Sequence, residues 1–211
     1  MTRTCLDLFA GLGGFSAAFA EADGWEVVTV DIDERFAPDI RADVLDLRPA
    51  DLPDADVVLA SPPCTEFSTM QNLNGGVEPS GEAIALVYHT IGLAKALRPE
   101  YWVLENPFGR LRTVIGEPEG TVTYCQYGEN HQKPTDLWGE HPPMTYRSCA
   151  RGANCHISNR AGGHAMRDKC GKRTAAERAK VPRELSDAIL EAVEKAYANP
   201  PPEQATLGGH S

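Results

Sequence analysis

Apolar and polar positions alternate in blocks along the first half of the chain. Short apolar runs have the length of buried strands, and they lie at residues 4–10, 25–30, 56–60 and 101–104. Between them, residues 15–22 and 81–97 carry apolar side chains at helical spacing. Strands that alternate with helices predict an α/β fold with a mostly parallel, twisted sheet and helices on both faces.

The second half of the chain is less regular. Residues 121–125 and 136–138 predict strands, and residues 183–198 predict an amphipathic helix that Val181-Pro182 introduces. Little apolar periodicity remains between these elements, and the proline-rich end predicts disorder. The predicted organisation is an α/β domain at 1–138, a short basic insert at 139–180, a helix returning to that domain at 181–198 and a disordered tail at 199–211.

Length and composition are those of an ordinary globular protein. The chain has 211 residues and a formal net charge of −10, and no apolar run approaches the ~20 residues that a membrane helix needs. The first residues carry no secretory signal, so we expect an intracellular protein without membrane association. Its six cysteines are then expected to be reduced thiols, metal ligands or a nucleophile.

Charge is distributed unevenly along the chain. Residues 1–140 hold 9 Lys and Arg against 23 Asp and Glu, whereas residues 147–183 hold 10 basic residues against 2 acidic ones. A basic segment of this density predicts phosphate contacts with a nucleic acid. The alternative is a solvated basic surface, and the charge alone does not distinguish it from a phosphate-binding segment.

A glycine-rich turn, Gly11-Leu12-Gly13-Gly14, follows the first predicted strand. Asp31 and Asp43 stand where the second and third strands are expected to end, so the three features predict one crevice at the carboxyl edge of the sheet. Ser16 stands where a dinucleotide fingerprint requires glycine, which favours a nucleoside-bearing cofactor without a pyrophosphate. The alternative is a tight turn that binds no ligand.

Two further strand ends carry reactive side chains. Pro62 and Pro63 stiffen the turn before Cys64, so this thiol can be aimed at a substrate as a nucleophile. Glu105 follows the next strand and can act as a proton donor at the same edge. Taken alone, each residue also fits a structural role, as an inert buried cysteine or a loop-capping carboxylate.

Three motifs occur in a characteristic order: Asp7-Leu8-Phe9-Ala10-Gly11-Leu12-Gly13-Gly14-Phe15-Ser16, then Pro63-Cys64 with Phe67-Ser68, then Glu105-Asn106. Their combination resembles the DNA (cytosine-5)-methyltransferases over about residues 3–138. The resemblance implies a Rossmann-like class I fold that binds S-adenosyl-L-methionine. Tyr127-Gly128 with Gln132 resembles a later family motif, and Val181-Pro182 with its helix resembles the closing motif.

The resemblance also implies roles for individual residues. Cys64 would add to C6 of a cytosine flipped out of DNA, and protonated Glu105 would hydrogen-bond N3 while C5 takes the methyl group. The loop 64–80 is the expected lid. Expected cofactor contacts are Phe9, Ala10, Gly11, Leu12, Gly13, Gly14, Asp31, Ile32, Asp43, Val44 and Pro63. Expected substrate contacts are Ser68, Asn106, Gln132 and Lys133, together with Arg167, Lys172 and Arg173 of the basic segment.

The chain departs from the family pattern in three places. Pro107 follows Glu-Asn where the family has valine, and Lys133 is the only cation where the later motif carries arginines. The insert 139–180 is much shorter than a target-recognition domain. Sequence specificity is therefore expected to be slight, to come from a protein partner, or to be absent.

The same insert contains several potential metal ligands. Cys149, Cys155 and His156 are the side chains that would hold a structural zinc, because thiolate and imidazole suit this ion. Their irregular spacing equally allows free cysteines in a polar loop.

Two other classes of function stay open beside DNA methylation in the cytoplasm of a bacterium or phage-infected cell. One is a cytosine C5-methyltransferase for RNA or a free cytidine nucleotide, and the other is a non-catalytic DNA- or cofactor-binding module. A nicotinamide oxidoreductase is disfavoured because the glycine pattern fails. The oligomeric state and a nuclear location are also left open.

Overall fold

The computed structural model describes residues 2–68, 78–150, 154–156 and 174–200. The strands are β1 (Arg3–Leu8), β2 (Trp25–Asp31), β3 (Ile40–Arg41), β4 (Val57–Ala60), β5 (Tyr101–Pro107), β6 (Gly120–Thr123) and β7 (Pro134–Glu140). The helices are α1 (Ala17–Glu21), α2 (Gly81–Ala96), α3 (Leu111–Ile115), α4 (Ala175–Ala179) and α5 (Arg183–Ala198).

These strands form one sheet in the order β3-β2-β1-β4-β5-β7-β6. Strands β1 to β5 run parallel, and β7 runs antiparallel to both of its neighbours. The order reverses between β1 and β4, and such a reversal opens a crevice at the carboxyl ends of the strands. The predicted α/β fold with a mostly parallel sheet is confirmed, and the reversal shows where its site should lie.

Alternation along the strands builds a hydrophobic core on each face of the sheet. In β1, Cys5 belongs to the core that α1 and α5 cover, whereas Leu6 and Leu8 belong to the core that α2 and α3 cover. Helix α5 buries Leu185 and Ile189 at the four-residue spacing that predicted it. No helix within the described ranges is long and apolar enough to cross a bilayer.

The structure shifts several predicted boundaries. Strand β3 is only Ile40–Arg41, and Val44–Asp46 form a 3-10 turn because the Asp43 carboxylate accepts the Leu45 N–H at 3.0 Å. Helix α1 is shorter than the predicted 15–22. Strand β6 ends at Thr123, where a 3-10 turn begins, so the predicted strand 121–125 is too long.

Strand β5 is longer than its apolar run predicted. It continues through Pro107 because β7 pairs with it from Trp102 to Pro107, with Glu105 opposite Leu137 and Asn106 opposite Asp136. Strand β7 itself ends at Glu140, so the domain boundary expected at 138 falls inside a strand. Tail residues 201–211 and insert residues 151–153 and 157–173 lie outside the described residues.

Candidate active site

The turn between β1 and α1 has positive φ angles and is hydrogen-bonded to the end of β2. Phe9, Gly11 and Gly13 have φ angles of 64°, 52° and 66°, a region that costs a non-glycine residue such as Phe9 about 1 kcal/mol or more. The Asp31 carboxylate accepts the Gly11 N–H at 2.8 Å and the Asp33 N–H at 2.9 Å. Asp31 therefore fastens the turn to the end of β2, in addition to the cofactor contact expected of it.

Gly14 is the point at which the segment before α5 contacts this turn. A Cβ on Gly14 would lie 2.5 Å from the carbonyl oxygen of Val181. The absence of a side chain thus lets the segment before α5 pack directly on the turn. Ser186 of α5 strengthens the contact, because its hydroxyl donates to the Phe15 carbonyl at 2.6 Å and accepts the Ala18 N–H at 3.0 Å.

A cavity of about 420 Å³ opens beside the turn, at the carboxyl edge of the sheet. Of the predicted cofactor residues, its wall contains Phe9, Ala10, Gly11, Leu12, Gly14 and Pro63. The same wall contains Cys64, Glu105 and Lys133, so the cavity unites the predicted cofactor and catalytic regions. It also contains residues that sequence reasoning missed, namely Arg35, Phe36, Ala175, Ala176, Ala179 and Lys180.

Five predicted cofactor residues do not line the cavity: Gly13, Asp31, Ile32, Asp43 and Val44. Val44 packs its side chain into the core on the α2 face, so its expected cofactor contact would come from the main chain and stays a prediction. Ile32 is 62% exposed, so its side chain is accessible to a ligand although it does not line the cavity.

Hydrogen bonds and a buried phenylalanine stabilise the turn that carries Cys64. The Cys64 carbonyl accepts the N–H groups of Phe67 and Ser68, each at 3.0 Å, and Phe67 is a buried core residue. The Asn106 side-chain amide donates to the Pro62 carbonyl at 3.0 Å. Gly109 lets this turn approach, because a Cβ there would collide with the Phe67 carbonyl.

Two predicted substrate contacts therefore have structural partners. Asn106 is fully buried, donates to the Pro62 carbonyl and does not line the cavity, so it positions the turn, and its expected substrate contact stays a prediction. Ser68 forms an isolated bridge with Gly109 and is likewise outside the cavity wall.

Glu105 lies in a polar pocket that a tyrosine and a lysine complete. The Tyr124 hydroxyl donates to Oε1 of Glu105 at 2.8 Å, and Lys133 Nζ lies 3.8 Å from the same oxygen. Burial, followed by the charge of Glu105, raises the pKa of Tyr124 well above its ordinary value, so the phenol stays protonated. Tyr124 was not among the predicted site residues, because the sequence around it predicted only a strand.

The thiol of Cys64 responds to the same neighbours. Burial raises its pKa above the ordinary 9.0, the Lys133 ammonium opposes this, and the Glu105 carboxylate adds to it. At neutral pH the free protein therefore holds Cys64 mainly as a thiol. A positive charge nearby is the feature that favours its ionisation.

The remaining predicted substrate residues are Gln132 and three residues of the basic segment. Gln132 is exposed and does not line the cavity. Arg167, Lys172 and Arg173 lie outside the described residues.

The three predicted metal ligands do come together, and a fourth joins them. The ligand atoms of Cys125, Cys149, Cys155 and His156 all lie within 4.8 Å of one another. Cys125 was missed because it follows β6, 24 positions before Cys149, and only the folded chain makes them neighbours.

Solved structures support the class of the fold. The structure of a methyltransferase from Entamoeba histolytica superposes with a TM-score of 0.50 at 11% identity, covering 71% of this chain and 57% of that one. At this identity the likeness concerns the fold alone. Together with the strand order, it defines the Rossmann-like fold of class I methyltransferases.

Sequence comparison narrows the class to a family. The profile described as C-5 cytosine-specific DNA methylase matches residues 3–112. A probable DNA (cytosine-5)-methyltransferase of Frog virus 3 (isolate Goorha) is 32% identical over 169 residues, 71% of this chain and 76% of that protein. The chain therefore belongs to the C-5 cytosine-specific DNA methylases.

A bacterial relative is matched over a smaller share of its length. Type II methyltransferase M.FnuDI of Fusobacterium nucleatum is 29% identical over 116 residues, 50% of this chain. The chain spans 33% of that protein, whereas it spans 76% of the viral one.

Proposed function

We propose that this chain transfers a methyl group from S-adenosyl-L-methionine to C5 of cytosine in DNA, with Cys64 as the nucleophile and Glu105 as the proton donor. The observation that carries the proposal is the single cavity whose wall contains both the glycine turn and the side chains of Cys64, Glu105 and Lys133. Family membership supports the reaction, and this juxtaposition supports the residue roles.

The residues of the cavity fit this cofactor. Its volume of about 420 Å³ is within the ~300–1,000 Å³ of small-molecule sites. The turn lacks the complete glycine fingerprint of pyrophosphate-binding turns, and S-adenosyl-L-methionine has no pyrophosphate. Leu12 is 44% exposed at the wall, so an apolar surface is available to a bound ring. When bound, the cofactor supplies an electrophilic methyl group on a sulfonium.

Cys64 and Glu105 activate the cytosine ring. The Cys64 thiol gives up its proton to solvent, and its thiolate forms a bond to C6. The electrons of the C5–C6 double bond move towards the ring nitrogen, and Glu105, in its protonated form, gives its proton to N3. Because the Tyr124 hydroxyl donates to Oε1, the transferred proton belongs on Oε2 of Glu105. C5 of the resulting enamine can then accept the methyl group.

The adduct must afterwards be resolved. A solvent base removes the C5 proton, the C5–C6 double bond reforms, and the sulfur of Cys64 leaves as a thiolate. N3 returns its proton to Glu105 and the Cys64 thiolate takes up a proton from solvent, so both side chains end in their starting states.

We propose Lys133 as the cation that assists both groups. Its ammonium lies between the Tyr124 hydroxyl, at 3.3 Å, and Glu105 Oε1, at 3.8 Å, and its charge acts on Cys64. A cytosine whose N3 faces Glu105 would present its neighbouring O2 to this side of the cavity. Lys133 can thus replace the arginine of the family motif as a donor to O2.

DNA is the proposed partner. A base inside a duplex is shielded from Cys64, so the target cytosine must be flipped out at a cost of roughly a few kcal/mol. The basic segment containing Arg167, Lys172 and Arg173 is proposed to bind phosphates, since 10 basic residues fall within 147–183. The short insert favours a protein partner or weak sequence preference over an intrinsic recognition domain.

The test uses isotope-labelled S-adenosyl-L-methionine and unmethylated duplex DNA. The protein is compared with Cys64→Ala, and the digested nucleosides are read by mass spectrometry. We expect labelled 5-methyldeoxycytidine with the unmutated protein alone. If product forms on RNA or cytidine nucleotides but not on DNA, the substrate is one of those instead of DNA. If the protein binds the cofactor but forms no product on any of them, it is a non-catalytic module.

A further inference from the structure

Three thiols and one imidazole converge outside the proposed active site. We propose that Cys125, Cys149, Cys155 and His156 form a structural zinc site that fastens the short insert to the catalytic domain. The proposal stands on the geometry of these four side chains and does not depend on methyl transfer.

The spacing of the donor atoms matches a tetrahedral metal site. With Zn–S of about 2.3 Å and Zn–N of about 2.0–2.1 Å, tetrahedral ligand atoms lie about 3.5–3.8 Å apart. The Sγ atoms of Cys155 and Cys125 are 3.7 Å apart, and Nδ1 of His156 is 3.5 Å from the Sγ atoms of both Cys149 and Cys155. The Cys149–Cys155 separation of 3.2 Å is slightly shorter.

A disulfide explains this arrangement less completely. A bond between Cys149 and Cys155 would need about 2.0 Å rather than 3.2 Å. It would also leave Cys125 and His156 directed at an oxidised pair with little to bind them. A single cation satisfies all four donors, and soft thiolates with an imidazole select zinc over magnesium or calcium.

The catalytic domain holds part of the site in place. The Thr123 N–H at the end of β6 donates to the Arg147 carbonyl at 3.0 Å, and the Cys149 N–H donates to Thr123 Oγ1, also at 3.0 Å. These bonds bring Cys149 beside Cys125, which follows in the next turn. Two ligands are therefore positioned by the sheet before a metal binds.

The other two ligands would be recruited by the metal. Cys155 is exposed, and the Gln126 side-chain amide donates to its sulfur at 3.1 Å, as groups around bound thiolates commonly do. Four protein ligands complete a tetrahedron and leave no open position, which is typical of a structural rather than a catalytic zinc. Such a site can order a segment that has too little apolar content for its own core.

The site also lies next to a proposed catalytic pocket. Cys125 directly follows Tyr124, whose hydroxyl is bonded to Glu105. Zinc at Cys125 would therefore hold the turn that positions the proton donor.

The experiment measures metal in the full chain, purified under reducing, oxygen-free conditions after expression with zinc. We expect about one zinc per chain by elemental analysis, and an intense thiolate-to-cobalt charge-transfer band after cobalt replacement. Cys125→Ser and Cys155→Ser should each lose most of the metal. Cys64→Ser is the matched control, because it removes a thiol outside the cluster and should keep the zinc.

Several outcomes would overturn the site. These are reduced protein that binds no zinc on reconstitution, a Cys149–Cys155 disulfide under the reducing conditions, or full zinc content in both Cys125→Ser and Cys155→Ser. Should Cys125→Ser not fold, the exposed Cys155→Ser carries the test, with circular dichroism as the check of folding. Loss of methyl transfer in Cys64→Ser with retained zinc would separate this site from the catalytic one.

Discussion

The Lys133 ammonium lies 3.8 Å from Oε1 of Glu105, inside the cavity that also holds Cys64. One cation thus faces the proposed nucleophile and the proposed proton donor together. Its charge opposes the effect of burial on the Cys64 thiol, whereas the Glu105 carboxylate reinforces it. The two neighbours of Cys64 therefore act on its ionisation in opposite directions.

Alkylation of Cys64 should reveal this opposition. Lys133→Met removes the charge that lowers the Cys64 pKa, so the pH at which iodoacetamide reacts half-maximally should rise by about one unit. Glu105→Gln removes a charge that raises the Cys64 pKa, so the profile should move to lower pH. The rate of Cys64 modification is read from its peptide by mass spectrometry.

Lys95→Met serves as the control for the alkylation profiles. Lys95 is exposed near the end of α2 and pairs with Glu140, so its loss should leave the profile unchanged. A shift in the same direction for Lys133→Met and Glu105→Gln would show that the two charges do not act on Cys64 as the structure indicates.

Gly109→Ala tests whether the turn below Cys64 is held by close packing. The added Cβ collides with the Phe67 carbonyl, so the turn must shift. We expect a loss of about 1–3 kcal/mol in the free energy of unfolding. Methyl transfer should fall by about a hundredfold, since a displacement near 1 Å has this effect on positioned groups.

A second glycine provides the matched control for this substitution. Gly92 lies inside α2, and nothing stands within 4 Å of a Cβ built there. Gly92→Ala should therefore stabilise the protein by about 0.5–1 kcal/mol and leave activity unchanged. Urea denaturation and the methyl-transfer assay measure both variants, and equal effects at the two glycines would contradict the packing argument.

Sequence pattern alone located the edge of the sheet where the site lies. Cys64 and Glu105 were expected at neighbouring strand ends, and the structure brings them into one cavity because β4 and β5 pair in parallel. Tyr124 was not predicted as a site residue, because its contact with Glu105 depends on the antiparallel β7 between β5 and β6. The burial of the Val44 side chain was not predicted, because it depends on the 3-10 turn that directs this side chain into the core.

Asp7 makes the stability of this fold depend on pH. It is fully buried, and burial is the main cause that raises its pKa from 3.8 to about 7, partly offset by hydrogen bonds from Ser16. A raised carboxyl pKa means that its contribution to stability is fully present below pH 3.8 and is lost as the pH rises through about 7.

Asp7→Asn should remove this dependence, because the amide does not ionise. The free energy of unfolding of Asp7→Asn minus that of the wild type should therefore increase between pH 4 and 7, by up to about 1.4 kcal/mol per pH unit. Denaturation at several pH values measures this difference. A difference that stays constant with pH would show that Asp7 ionises normally in the fold.

Helix α1 receives its cap from the far end of the chain. Its own N-cap residue, Ser16, donates to Asp7 at 2.6 Å, and the Ala18 N–H is accepted instead by Ser186 of α5. Ser186→Ala would leave the buried Ala18 N–H and Phe15 carbonyl without these bonds, at a cost of about 1–3 kcal/mol in the free energy of unfolding. Because α1 follows the glycine turn directly, affinity for S-adenosyl-L-methionine, measured by calorimetry, should fall as well. Ser80→Ala removes the exposed cap of α2 and should cost about 1 kcal/mol without changing that affinity, so equal affinity loss in both variants would refute the link between α5 and the turn.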